Sequence, residues 1–106
     1  MPDQGDAGPD TAGMRFHYEM GCTESEFFRL LPAAVGGANM RIDGSAAVHE
    51  EAGRGWRIRL SNRRQHALAG LRLPVVDVDL EFHGYSAAEV DRFMERFHAS
   101  FRRGGG

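Results

Sequence analysis

There is no lysine anywhere in this 106-residue chain, and all 13 of its basic residues are arginine. That absence excludes a Schiff-base lysine, a P-loop lysine for nucleotide phosphates and a lysine general base. The arginines are read as the product of a codon bias toward Arg, Ala and Gly rather than of selection for guanidinium chemistry. Cysteine is almost as scarce: Cys22 stands alone and can form no internal disulfide, in keeping with a reducing compartment. No apolar run approaches the roughly 20 residues of a membrane span. Residues 1–13 offer Pro, Gly and three aspartates where a secretion signal has a basic start and an apolar middle. Acidic and basic residues nearly balance, and a net charge of −2 with a pI near 6.2 argues against nucleic-acid binding through the overall field. Also missing are Cys-x-x-Cys, His-x-x-x-His and any internal repeat. These absences predict a small, cytoplasmic, bacterial-type domain with no membrane contact, no cofactor and no metal.

A chain of this length forms one domain that buries about two thirds of its unfolded surface. Residues 1–13 have no apolar periodicity and are expected to be a disordered leader; residues 14–103 form the α+β domain and 104–106 a flexible Gly tail. Phe16, Tyr18 and Met20 alternate with Arg15, His17 and Glu19, a first strand ending at Gly21. Thr23 and Glu26 form a capping box for a short helix carrying Phe27, Phe28, Leu30 and Leu31, which Pro32 is expected to end or kink. A second strand spans about residues 39–51, where Asp43-Gly44 reads equally as a tight turn or a bulge. Gly53 and Gly55 make the next turn, and Trp56, Ile58 and Leu60 alternate with Arg57, Arg59 and Ser61 in a further strand. Asn62 to Arg64 reads as a turn and Gln65 to Leu73 as a strand, with Pro74 at a bulge or edge position.

The clearest pattern is the last. Val76, Val78, Leu80 and Phe82 alternate with Asp77, Asp79, Glu81 and His83. Ser86 and Glu89 then form a second capping box, and Val90, Phe93, Met94, Phe97 and Phe101 make one helical stripe. The fold predicted is an α+β two-layer sandwich, an antiparallel sheet of four or five strands with two helices on one face, in the order β-α-β-β-β(-β)-α. Its wet face sets Arg57 and Arg59 on one strand beside Asp77, Asp79 and Glu81 on another, an arrangement able to form cross-strand ion pairs.

Four constellations could carry chemistry. Arg54, Arg57, Arg59, Arg63, Arg64 and Arg72 fall in an acid-free stretch that includes Trp56. That pattern suits phosphate or single-stranded RNA if the arginines are free and Trp56 is open, and ion-paired packing if they are not. Cys22 precedes the helix cap Thr23, where a helix dipole lowers a thiol's pKa, and is the one candidate for thiol or redox catalysis. His17 and His83 fall on outward strand positions and could share a metal only if those strands paired. Asp77, Asp79 and Glu81 point the same way, but an exposed face does not raise carboxylate pKa values, so a solubilising role is expected.

The chain ends Phe101-Arg102-Arg103-Gly104-Gly105-Gly106. The terminal glycines resemble those of ubiquitin-like and sulfur-carrier proteins, whose last glycine is activated as an acyl adenylate. In that family the tail leaves a β-grasp strand. Here it leaves a predicted helix, and glycine after arginines is equally the ordinary way to stop one. The leading expectation is a non-catalytic accessory or interaction domain whose partner is another protein or a second copy. The alternatives are RNA or polyanion binding through the Arg-rich hairpin, and Cys22 chemistry.

Overall fold

Strand alternation and two capped amphipathic segments produce seven elements in a computed structural model that describes residues 14–104. They are β1 (Met14–Met20), α1 (Glu24–Ala34), β2 (Arg41–Asp43), β3 (Ala46–Glu51), β4 (Arg54–Leu68), β5 (Leu71–His83) and α2 (Ala87–Gly104). The five strands form one antiparallel sheet in the order β1-β5-β4-β3-β2. The expected leader, residues 1–13, lies outside the described residues, as do Gly105 and Gly106. Gly104 belongs to α2 rather than to a tail.

Both helices cover the same face of the sheet. Phe27, Leu31 and Ala34 of α1 and Val90, Met94, Phe97 and Phe101 of α2 bury against Trp56, Ile58, Leu60, Val76, Val78, Leu80 and Phe82 in a single cluster. Both capping boxes are formed. Thr23 Oγ1 accepts from the Glu26 amide at 3.0 Å, while Glu26 takes the Thr23 amide at 2.9 Å. Ser86 and Glu89 repeat the exchange at 3.2 and 2.8 Å. Satisfying the orphan amides this way fixes where each helix begins.

The structure departs from the sequence-based expectation at Pro32, at Gly55 and at Asn62 to Arg64, and decides the alternative left open at Asp43-Gly44. Pro32 neither ends nor interrupts α1; it stands inside the helix, which stops at Val35 before Gly36 and Gly37 turn to φ 70° and 77°. Asp43-Gly44 leads into a hairpin turn, with Asp43 opposite Ala46 and only Gly44 of the two loop residues at positive φ. The next turn is Ala52-Gly53, both at positive φ, and Gly55 lies inside β4. Asn62 to Arg64 is a bulge, not a turn: Ser61 faces Asp77 and Arg64 faces Val75, so β4 carries one extra residue and continues to Leu68. Ala69-Gly70, both left-handed, then close the β4–β5 hairpin.

Because β3 reaches only to Arg59 and β1 only to Val76, the β4–β5 hairpin runs on beyond its neighbours as a two-stranded arm. The arm accounts for a long axis of 51 Å against 30 and 25 Å. Pro74 lies within β5, opposite Gln65. The residues flanking a two-residue turn form a hydrogen-bonded pair, and pairs alternate from there, so Pro74 turns its nitrogen away from β4, past the end of β1. The proline therefore costs the ladder nothing and denies the arm one outward donor.

Candidate functional site

Residues opposed across antiparallel strands point to the same side, so the pairing register maps the face the helices leave open. One row across it reads Arg15, Glu81, Arg57, Val48, Arg41; the next reads His17, Asp79, Arg59, Ala46, Asp43; a third reads Glu19, Asp77, Ser61. The same parity continues onto the arm as Arg64 and Val75, His66 and Leu73, Leu68 and Leu71. Leu68, Leu71 and Leu73 are 56%, 61% and 40% exposed. An apolar patch at one end of a charged, uncovered sheet face is the most distinctive surface feature of the molecule.

The six clustered arginines separate into four groups. Arg54 donates to Glu89 at 2.8 Å and lies 4.3 Å from the Tyr85 ring centre, so it ties β4 to α2. Arg63 bonds Glu24 and Ser45, and Arg64 bridges Glu19 at 2.6 Å and Asp77 at 3.0 Å; together they clamp the bulge. Arg72, on the arm, reaches only Gln65, at 3.5 Å, among the described residues. Arg57 and Arg59 make no ion pair among the described residues, although Glu81 and Asp79 stand opposite them. Those carboxylates turn the other way, Glu81 to Arg15 at 3.9 Å and Asp79 to His17 at 2.7 Å. Trp56 is 2% exposed and stacks on His49 with ring centres 5.4 Å apart, which removes it as a platform for a base.

Burial pushes the Cys22 thiol up, with the Glu26 charge adding to it, the opposite of what a helix dipole alone gives. The space beside it is lined by Thr23, Glu24, Arg63, Arg64, Gln65 and Pro74. His17 and His83 do share the open face, but His17 pairs with Asp79 and His83 with Glu50 at 3.0 Å. Glu95 and His98, three apart on α2, are a ligand spacing that the sequence pattern did not single out. His98 packs edge-on to Tyr18 at 4.8 Å, and among the described residues no three potential ligands gather.

The His17 imidazole is held above its ordinary value chiefly by the hydrogen bond to Asp79, which outweighs the opposing desolvation, with the charges of Asp79, Asp77 and Glu19 adding to it. A raised folded pKa contributes stability that is fully present below the unfolded value of 6.5 and lost as pH rises through the folded value. His17→Gln should therefore flatten the decline in denaturation midpoint as pH rises above about 6.5. An unchanged pH profile in the variant would show that the pair contributes nothing.

The family model described as archaeal MoaD-like protein matches residues 22–106, which span everything after β1. The chain belongs to that family. Its archaeal description corrects the bacterial-type expectation. No curated protein and no solved structure matches the chain. The match includes the terminal glycines, of which Gly104 belongs to α2 and not to a strand. Among the described residues no helix is long and apolar enough to cross a membrane.

Proposed function

We propose that this MoaD-like chain is a non-catalytic interaction module of the cytoplasm that docks on a protein partner through the open face of its sheet. The observation that carries the reading is that one uncovered face holds both exposed Leu68, Leu71 and Leu73 on the arm and, further along the same strands, Arg57 and Arg59, which have no ion pair among the described residues. An exposed apolar patch marks an interaction surface, and arginine is enriched in protein interfaces. A buried thiol held in its protonated form favours a structural role for Cys22 and suits a reducing compartment. A photo-crosslinking residue placed at Arg57 or Leu71 should give a protein adduct in cells, and one at Asp91 or Glu95 on the outside of α2 should not. Absence of any adduct from the sheet positions would end the proposal.

A second reading rests on the family match running through Gly104–Gly106. By the resemblance to sulfur-carrier proteins, the Gly106 carboxylate would be activated as an acyl adenylate. Intact-mass measurement on the chain recovered from cells tests it: replacement of a carboxylate oxygen by sulfur, or a conjugate at Gly106, supports activation. An unmodified mass in every preparation removes it.

A further inference from the structure

The open face is complementary to itself under one symmetry operation, and we infer from this that the partner is a second copy of the chain, stacked face to face. The inference rests on the docking role proposed above and names the occupant. Consider a two-fold axis parallel to the strands and running between β4 and β5. Such a rotation keeps every residue at its height along the strands and exchanges left for right, so β5 meets β4 of the second copy and β1 meets β3.

Register partners stand at equal height. Arg57 is opposite Glu81, and Arg59 is opposite Asp79. The rotation therefore sets Arg57 over Glu81 of the second copy and Arg59 over Asp79 of the second copy. It gives two guanidinium groups, without an ion pair among the described residues of their own chain, a carboxylate across the interface. The next row sets Ser61 over Asp77, a donor over an acceptor. On the arm, Leu68 falls over Leu71 of the second copy and His66 over Leu73, so the exposed leucines of the two copies cover each other. On the flank, Arg15 and His17 meet Val48 and Ala46, which bring no opposing positive charge. Charge complementarity and apolar burial, two independent features of the face, are met by the same operator. An isologous interface requires this.

The size is sufficient. With β4 and β5 of 15 and 13 residues and β1 and β3 of 7 and 6, strand spacings give about 600 Å² of facing area per copy, hence about 1,200 Å² in total, the lower limit for a specific interface. Sheets stacked this way sit about 10 Å apart, a distance arginine and leucine side chains fill from both sides. The free edges of the arm are the weaker alternative, because Pro74 removes the outward donor on the β5 side.

Sedimentation of the intact chain over micromolar to millimolar concentration provides the test. A monomer–dimer equilibrium is expected. Leu71→Glu, at a position 61% exposed and so without a role in the core, should weaken it at least about tenfold. Arg57→Glu and Glu81→Arg should each weaken it by about tenfold, and the double swap, which restores every opposed pair, should return it to within about threefold of the parent. Circular dichroism of each variant establishes that the domain is folded, and Leu73→Glu serves if Leu71→Glu is not. A monomer at every concentration, a dimer indifferent to Leu71→Glu, or a double swap as weak as the singles would overturn the inference. Crosslinks from Arg57 to some other protein, with the chain itself monomeric, would overturn the dimer and leave the docking role standing. No crosslink at all would remove the docking role itself.

Discussion

Replacing Phe27 with alanine is expected to cost about 3–5 kcal/mol of stability, the range of a large aromatic side chain lost from a core. The ring is fully buried on α1. It stacks on Phe101 at 4.9 Å and meets Phe97 at 6.2 Å, both on α2, and Phe28 at 5.6 Å on its own helix. It is thus the joint between the helices as well as part of the floor they share. Removing it leaves a cavity walled by aromatic rings on two helices that are each held in place by the sheet below, so the site cannot collapse to fill it. For a domain of this size the loss corresponds to a fall in Tm on the order of 15–30 °C. Phe28→Ala, at a half-buried position on the same turn, should cost clearly less. A Phe27→Ala loss below about 1 kcal/mol would mean that the helices do not share a core there.

Gly55→Ala is expected to be nearly as damaging, and for a different reason. A Cβ at residue 55 would lie 2.1 Å from the His49 carbonyl oxygen and 3.1 Å from the Glu50 Cα, so the obstruction is backbone. No rotamer change relieves it; β3 must move away from β4, and with it the pairing of His49 to Trp56 and of Glu50 to Gly55. The cost should reach or exceed the upper end of the roughly 1–3 kcal/mol typical of overpacked sites. Gly37→Ala is the control. Its φ is 77° but nothing lies within 4 Å, so only backbone strain of about 1 kcal/mol is at stake. Urea midpoints for the pair, with amide exchange along β3, separate the two causes. Equal losses in both variants would show that the close approach at Gly55 is not tight.

The sequence disclosed those parts of the molecule whose cause is local. The strand from Val76 to Phe82 and the stripe from Val90 to Phe101 are readable because alternation and the helical repeat survive any arrangement of neighbours, and both capping boxes are set by residues three apart. Turns are less legible. Ala52, Asn62 and Ala69 all sit at positive φ, where neither alanine nor an isolated asparagine announces itself, and the cost is met by the cross-strand pairing on either side. Proline usually breaks a helix, yet Pro32 sits in the last turn of α1, where one lost amide bond is outweighed by burial of Leu31, Ala34 and Val35.

The candidate site divides along the same line. That Arg57 and Arg59 share a face with Asp77, Asp79 and Glu81 follows from period-two alternation alone. Which charge takes which partner does not. Glu81 and Asp79 turn to Arg15 and His17 because β1, distant in sequence, pairs on the far side of β5. The arm is likewise invisible in the sequence, since it exists only because β1 and β3 are shorter than the hairpin they flank.

What the sequence determined by itself is therefore the set of elements, their buried sides and the two-layer α+β class, all consequences of periodicity, capping and the hydrophobic effect acting over a few residues. The tertiary structure alone decided the strand order, the bulge that carries β4 on past Ser61, the partners of each arginine and the exposure of Leu68, Leu71 and Leu73. These depend on which strand ends where beside which neighbour, a relation between segments far apart in the chain, such as Arg15 and Glu81, that no local pattern encodes.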